Sequence, residues 1–229
     1  VYKRQVHPTE LKVELCKKIS ELTYERWIGV TSKSVLSSSG SESIECALKT
    51  ALLATGKEAV ICFKNSYHGT SIGALATSGI ARFRKPFTKQ IAQFGITAPY
   101  GIKGLSEVHN IISSNNIGAI IVEPILGRGG KVVPEEDFLP EIREICDKHN
   151  IVLIFDECTS GFRQTNGGLH KLYKVNPDIA IFGKALGNGH AINAIIGRKD
   201  VMEFCNSTFI SSTFWTERIG PTAALATIE

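Results

Sequence analysis

The sequence predicts an α/β domain in which helices sandwich a mostly parallel sheet, and three observations support that class. Short, continuous apolar runs recur at Ala59 to Phe63, Ala119 to Val122, Ile151 to Phe155, Ile179 to Phe182 and Ala194 to Ile196. Amphipathic stretches separate several of them, and strands that alternate with helices belong to parallel sheets buried on both faces. Two of the runs lead directly into a charged group, Asp156 in one case and Lys184, behind Gly183, in the other.

The elements follow in chain order. Thr9, followed by Leu11, Val13, Leu15, Ile19 and Leu22, marks a first helix in polar surroundings. Ser37 to Ser43 (SSSGSES) reads as a loop of small residues running into a helix over Glu42 to Thr55. In that helix Ile44, Ala47, Leu48, Ala51 and Leu52 share one face, and Gly56 stops it. The run Ala59 to Phe63 is followed by the turn Ser66 to Gly69 (SYHG), and the run Ala119 to Val122 by Glu123 and Pro124. A helix from about Glu135 to His149 turns Phe138, Ile142, Ile145 and Cys146 to the core, with Pro134 near its first turn. It joins two strands, as a βαβ unit requires. Pro221 to Glu229 reads as another helix. No repeat, linker or low-complexity segment interrupts this order, so one domain is expected, and a chain that starts at Val1 and stops inside a helix is expected to be part of a longer protein.

Composition narrows the function. The 229 residues are 43% apolar, which suits an ordered core, and 26 basic against 22 acidic residues leave a net charge of +4 with no long run of one sign. A nucleic-acid footprint is therefore not expected. No stretch approaches the roughly 20 apolar residues that span a bilayer, so no membrane partner is expected. The six cysteines are scattered without C-x-x-C spacing, which favours a reducing, cytoplasmic location. The six histidines fall singly and no H-E-x-x-H occurs, so no metal site is expected.

The candidate chemistry lies at the loops after the apolar runs, because ligands of open α/β sheets bind outside the carboxyl ends of the strands. Lys184 presents an amine that can hold a carbonyl cofactor, and Asp156 a carboxylate that can keep a pyridine nitrogen protonated. The pair suggests pyridoxal phosphate. Each residue also has a plainer reading, an exposed lysine opening a loop and a capping or surface acid after a strand. Their spacing, 28 residues (184 − 156), suffices for one crossover that places them on neighbouring strand ends. Ser39, Gly40 and Ser41 stand where exposed amides and a helix dipole make an anion site, or where Ser39 or Ser41 serves as an ordinary helix cap. Tyr67 can present an aromatic face to a flat heterocycle, with His68 beside it, or simply pack. A nucleotide-binding module finds little support, since no G-x-G-x-x-G or G-x-x-x-x-G-K-[ST] string exists.

SGSES, YHG, VEP, FDE and GKALGNG occur in that order, together with IFDECTSGFR and STFWTERIGPTAAL. On these the chain resembles the class III aminotransferases, fold type I enzymes that use pyridoxal phosphate, over roughly residues 9 to 229. Within the family it looks most similar to glutamate-1-semialdehyde aminomutase and its relatives. The resemblance implies that Lys184 forms the Schiff base, Asp156 pairs with the pyridine nitrogen, Gly40 and Ser41 cradle the phosphate, and Tyr67 stacks on the ring. It places Glu123, His68 and Cys158 close to the cofactor, with Glu123 ranked below Asp156. It further implies that Thr213 reaches the phosphate of a neighbouring subunit in a homodimer with shared active sites. Residues 1–229 would be part of the cofactor-binding large domain, without the family's amino-terminal segment and small carboxyl-terminal domain. Many members carry valine and glutamine where this chain has Cys158 and Thr159, a departure that fits the aminomutase branch better. The implied reaction moves an amino group from a small-molecule donor to a carbonyl acceptor, or within one substrate in the aminomutase manner. Arg163 and Arg218 are candidates for a substrate carboxylate, against a reading as exposed arginines. A non-catalytic protein that keeps the fold is the remaining alternative, which intact Lys184 and Asp156 disfavour.

Overall fold

The computed structural model describes residues 8–91, 93–210 and 217–229. Its centre is a seven-stranded mixed sheet in the order β1-β7-β6-β5-β4-β2-β3. The strands are β1 (Ser32–Ser37), β2 (Ala59–Phe63), β3 (Gly95–Ala98), β4 (Ile117–Val122), β5 (Val152–Glu157), β6 (Ile179–Phe182) and β7 (Asn193–Arg198). From β6 to β3 every pairing is parallel, and β7 and β1 join antiparallel at the other edge. The five longer helices are α1 (Glu10–Ser20), α2 (Gly40–Thr55), α3 (Leu105–Ser114), α4 (Phe138–His149) and α5 (Ile219–Ile228).

Alternation along the strands decides which layer each residue meets. Val60, Cys62, Ala119, Ile121, Val152, Ile154, Ile179, Ile181 and Ile195 pack under α2. Ile61, Phe63, Ile120, Val122, Leu153 and Phe155 face the opposite way, against α3 and α4. On that second side, Ala180, Phe182, Ala194 and Ile196 lie against α1 and α5. Burial on both faces is why β4, β5 and β6 read as unbroken apolar runs. Each fully buried aliphatic or aromatic side chain contributes on the order of 1.5–3 kcal/mol.

Local chemistry sets the helix ends. The Thr9 hydroxyl accepts from the Lys12 amide at 3.3 Å and starts α1. At α2, Ser39 Oγ accepts from the Glu42 amide (3.3 Å) and the Glu42 carboxylate accepts from the Ser38 amide (2.9 Å), a reciprocal cap. Gly56, at φ 65°, ends the helix.

Several expectations shift. The Ser37 to Ser43 segment is not all loop, since Ser37 ends β1 and α2 already begins at Gly40. Asp156 and Glu157 do not follow β5 but are its last two residues. The helix expected from Glu135 starts at Phe138, placing Pro134 outside it. β1, β3 and α3 have no counterpart in the sequence reading. Among the described residues no helix is long and apolar enough to cross a membrane.

Candidate active site

Because β2, β4, β5 and β6 run parallel, their carboxyl ends open on one edge of the sheet, and the candidate residues collect there. β5 and β6 are adjacent, with Asp156 paired to Ile181 and Glu157 to Phe182, as the 28-residue crossover predicts. Alternation then sends the two acids apart. Asp156 lies on the α2 side and Glu157 on the other.

Asp156 is 5% exposed. Its Oδ2 lies 2.8 Å from His68 Nδ1, and its Oδ1 accepts from the Cys158 amide at 3.1 Å. A carboxylate only accepts, so Nδ1 carries the proton of that bond. The far nitrogen, His68 Nε2, is buried without a partner among the described residues. The His68 amide donates to Ser78 Oγ (3.0 Å), which fixes the ring's base. Glu157 makes a parallel arrangement on the opposite face, with His170 Nδ1 at 3.1 Å and the Leu169 amide at 2.6 Å, and His170 Nε2 reaches the Thr23 carbonyl at 3.2 Å. Glu157 thus ties β5 to the wide turn Glu21–Glu25 that follows α1, away from the site.

Lys184 does not end β6. It sits two residues past Phe182 and opens a 3-10 turn at φ 42°, a left-handed conformation that an L-residue adopts at a cost of roughly 1–2 kcal/mol. Gly183 precedes it because the backbone there presses on Asn193, whose amide a Cβ at 183 would overlap. The exposed Lys184 Nζ donates to Thr159 Oγ1 at 2.8 Å. Thr159, at the position where the family resemblance led to a missing glutamine, is the amine's partner, and the sequence reading had not chosen it.

The first turn of α2 closes the ring of candidates. A Cβ at Gly40 would stand 3.5 Å from Cys158 Sγ and 3.9 Å from Asn193 Nδ2, so this turn adjoins both the β5 end and the Lys184 turn. The Gly40 and Ser41 amides lie in the first turn and lack intrahelical acceptors. Ser39 serves as the cap described above. Ser41 Oγ accepts from the Thr70 amide (3.0 Å), which joins this turn to the Tyr67–His68 segment. Burial first, then the charge of Asp156, pushes the Cys158 thiol well above its ordinary range, so it faces this turn as a neutral group.

Tyr67 is placed by Glu123. That carboxylate accepts from the Tyr67 amide (2.8 Å) with one oxygen and from the Gly127 amide (3.1 Å) with the other. Burial pushes the Glu123 carboxyl up, opposed by His68 and reinforced by the Asp156 charge. Glu123 therefore acts through backbone, holding two loops at the end of β4. Replacing it with alanine is expected to destabilise the fold by about 1–3 kcal/mol for each amide left without an acceptor, seen as a lower denaturant midpoint. An unchanged midpoint would show that neither bond holds the loops.

The Tyr67 ring meets Phe83 edge-on at 5.8 Å, and the Arg128 guanidinium lies 4.8 Å from its centroid. Arg163, exposed, donates through Nε to the Thr159 carbonyl at 2.6 Å, and Arg218 is the residue before α5. Thr213 lies outside the described residues. Among the described residues no group of three His, Cys, Asp or Glu side chains could hold a metal ion.

An amine, a buried carboxylate with unfilled acceptor sites, a helix first turn and an aromatic ring thus share one sheet edge. A family model described as "Aminotransferase class-III" matches residues 1–229. The acetylornithine aminotransferase of Methanosarcina acetivorans is 33% identical over 230 residues, covering 100% of this chain and 55% of that relative. The glutamate-1-semialdehyde 2,1-aminomutase of Citrifermentans bemidjiense is 34% identical, covering 97% of this chain and 53% of the relative. The chain therefore spans about half the length of the curated relatives it matches. Among solved structures, taurine:2-oxoglutarate aminotransferase from Bifidobacterium kashiwanohense, in complex with PLP and glutamate, superposes with a TM-score of 0.86 at 21% identity, over 97% of this chain and 55% of that one. That likeness is one of fold.

Proposed function

The chain belongs to the class-III aminotransferase family, and from that premise we propose that it forms part of the large domain of an enzyme that moves an amino group between a small-molecule donor and a carbonyl acceptor with pyridoxal 5′-phosphate. The observation behind this reading is the convergence of Lys184, Asp156 and the first turn of α2 at one sheet edge. The residues fit the cofactor. Asp156 keeps acceptor sites open beyond its bonds to His68 and Cys158, enough for one ring N–H. The Gly40 and Ser41 amides suit the phosphate, and Tyr67 supplies an aromatic face.

When bound, the cofactor supplies an electron sink for the bond broken beside the substrate nitrogen. Lys184 Nζ is the group that would hold the cofactor through its carbonyl carbon and, as a free amine, would accept and return the proton of the substrate carbon. Thr159 Oγ1 fixes the amine's direction between those roles. Asp156 would favour the protonated ring nitrogen, and His68 Nδ1, 2.8 Å from Oδ2, orients Asp156.

A second reading, transfer within a single substrate, is favoured by Thr159 standing on Lys184 where glutamine would stand in many members. A stoichiometric need for a separate amino acceptor excludes it. A homodimer with shared active sites and a cytoplasmic location complete the proposal. The first is supported by the resemblance around Thr213, the second by free, scattered cysteines.

The test uses the full-length protein that contains this chain. After pyridoxal phosphate is added and borohydride applied, peptide mass spectrometry is expected to find the pyridoxyl group on Lys184. A well-folded protein that carries no label there would refute the proposal.

A further inference from the structure

Arg128 stands at the rim of the candidate site. Its guanidinium lies 4.8 Å from the centroid of the Tyr67 ring and 5.9 Å from that of Phe83, held by the attraction of a cation to aromatic faces. The loop that presents it is tied down on both sides. Leu126 and Val132 form an antiparallel bridge, and the Gly127 amide bonds Glu123. Gly127 is also the link to the chemistry, since a Cβ placed there would touch the Thr159 side chain (3.3 Å), and Thr159 holds Lys184 Nζ at 2.8 Å. Arg128, exposed, is the next residue along this loop.

No carboxylate pairs with Arg128 among the described residues, whereas Arg143 and Arg198 both bond Asp178. Its surroundings are cationic as well. Arg82 lies 4.9 Å from the Phe83 ring that Arg128 also approaches. A neighbouring cavity is lined by Lys64, Arg82, Arg84 and Lys85 and by no acidic residue. Such a field steers anions inward, and the exposed guanidinium, resting on two rings, is suited to grip a carboxylate through two parallel hydrogen bonds. Arg163 is less available, because its Nε is already given to the Thr159 carbonyl.

From this juxtaposition we infer that Arg128 anchors the anionic end of a carboxylate-bearing substrate, with Tyr67 as the wall against which the guanidinium is held. The inference rests on the reading of the site given under the proposed function and adds to it the residue that recognises the substrate's carboxylate.

Glutarate, a dicarboxylate without an amine, is the probe, titrated calorimetrically into the full-length holoenzyme at low salt. Arg128→Gln is expected to weaken its binding about 10- to 100-fold. Arg128→Lys, which keeps the charge but not the fork, is expected to fall between the two. Binding by the wild type is expected to weaken as salt rises. Equal glutarate affinity in the wild type and Arg128→Gln, or no binding by the wild type, would overturn the inference. If Arg128→Gln does not fold, equal affinity in wild type and Arg128→Lys does the same. Borohydride labelling of Lys184 in the same preparations separates this failure from failure of the cofactor assignment, because a labelled enzyme with unchanged glutarate affinity contradicts Arg128 alone.

Discussion

Lys184→Ala is expected to lower turnover of the full-length protein by at least about 10⁴-fold, because one substitution removes the group proposed both to anchor the cofactor and to carry the proton. The fold should survive it. Lys184 is exposed, and among the described residues its side chain hydrogen-bonds Thr159 alone. Alanine inherits the same left-handed backbone at φ 42°, so the strain of the turn neither appears nor disappears. Glycine at 184 releases that strain, worth roughly 1–2 kcal/mol, and loses part of the gain to its freer unfolded chain. Lys184→Gly should therefore be inactive yet melt no lower than the wild type. Rate assays, thermal melts and borohydride labelling decide together. A Lys184→Ala enzyme within tenfold of wild-type turnover would remove this lysine from the mechanism.

Asp156→Asn is expected to reduce kcat by about 10²–10³-fold while cofactor retention changes far less. The substitution leaves the site's frame in place. An asparagine oxygen can still accept from the Cys158 amide, and its NH2 can donate to His68 Nδ1 once the imidazole proton moves to Nε2, which has no partner to lose among the described residues. What is lost is the negative charge proposed to face the cofactor's ring nitrogen. Equilibrium dialysis of the cofactor and steady-state rates check the two halves. Normal turnover in Asp156→Asn would refute the role assigned to the carboxylate.

The central strands were legible in the sequence and the edge strands were not, for one physical reason. β4, β5 and β6 are covered on both faces and run apolar up to the acids that end β5, whereas β1 (SKSVLS) and β3 (GITA) are half-covered edges with two apolar residues each. α3 carries a stripe at helical spacing, Leu105, Val108, Ile111 and Ile112, although the expected elements include no helix there. At the site, Lys184 and Asp156 were found because apolar runs point to them. The His68 bond to Asp156 spans 88 positions and the Thr159 bond to Lys184 spans 25, and neither has a local signature. Arg128 reads as an ordinary loop arginine until Tyr67 is placed beneath it.

The antiparallel pairing of β1 with β7 has a consequence for how the molecule comes into being. Ser37 lies opposite Asn193, 156 positions later (193 − 37). At ribosomal speeds of about 5–20 residues per second, β1 waits roughly 8–30 s for its partner to be made. Asn193, at the start of that partner, is the residue against which Gly183 packs and near which Gly40 comes to rest. A nascent chain can thus lay down β2 to β6 and still lack the clasp that brings the first turn of α2 and the Lys184 turn against one residue, so the proposed site is complete only once β7 is made.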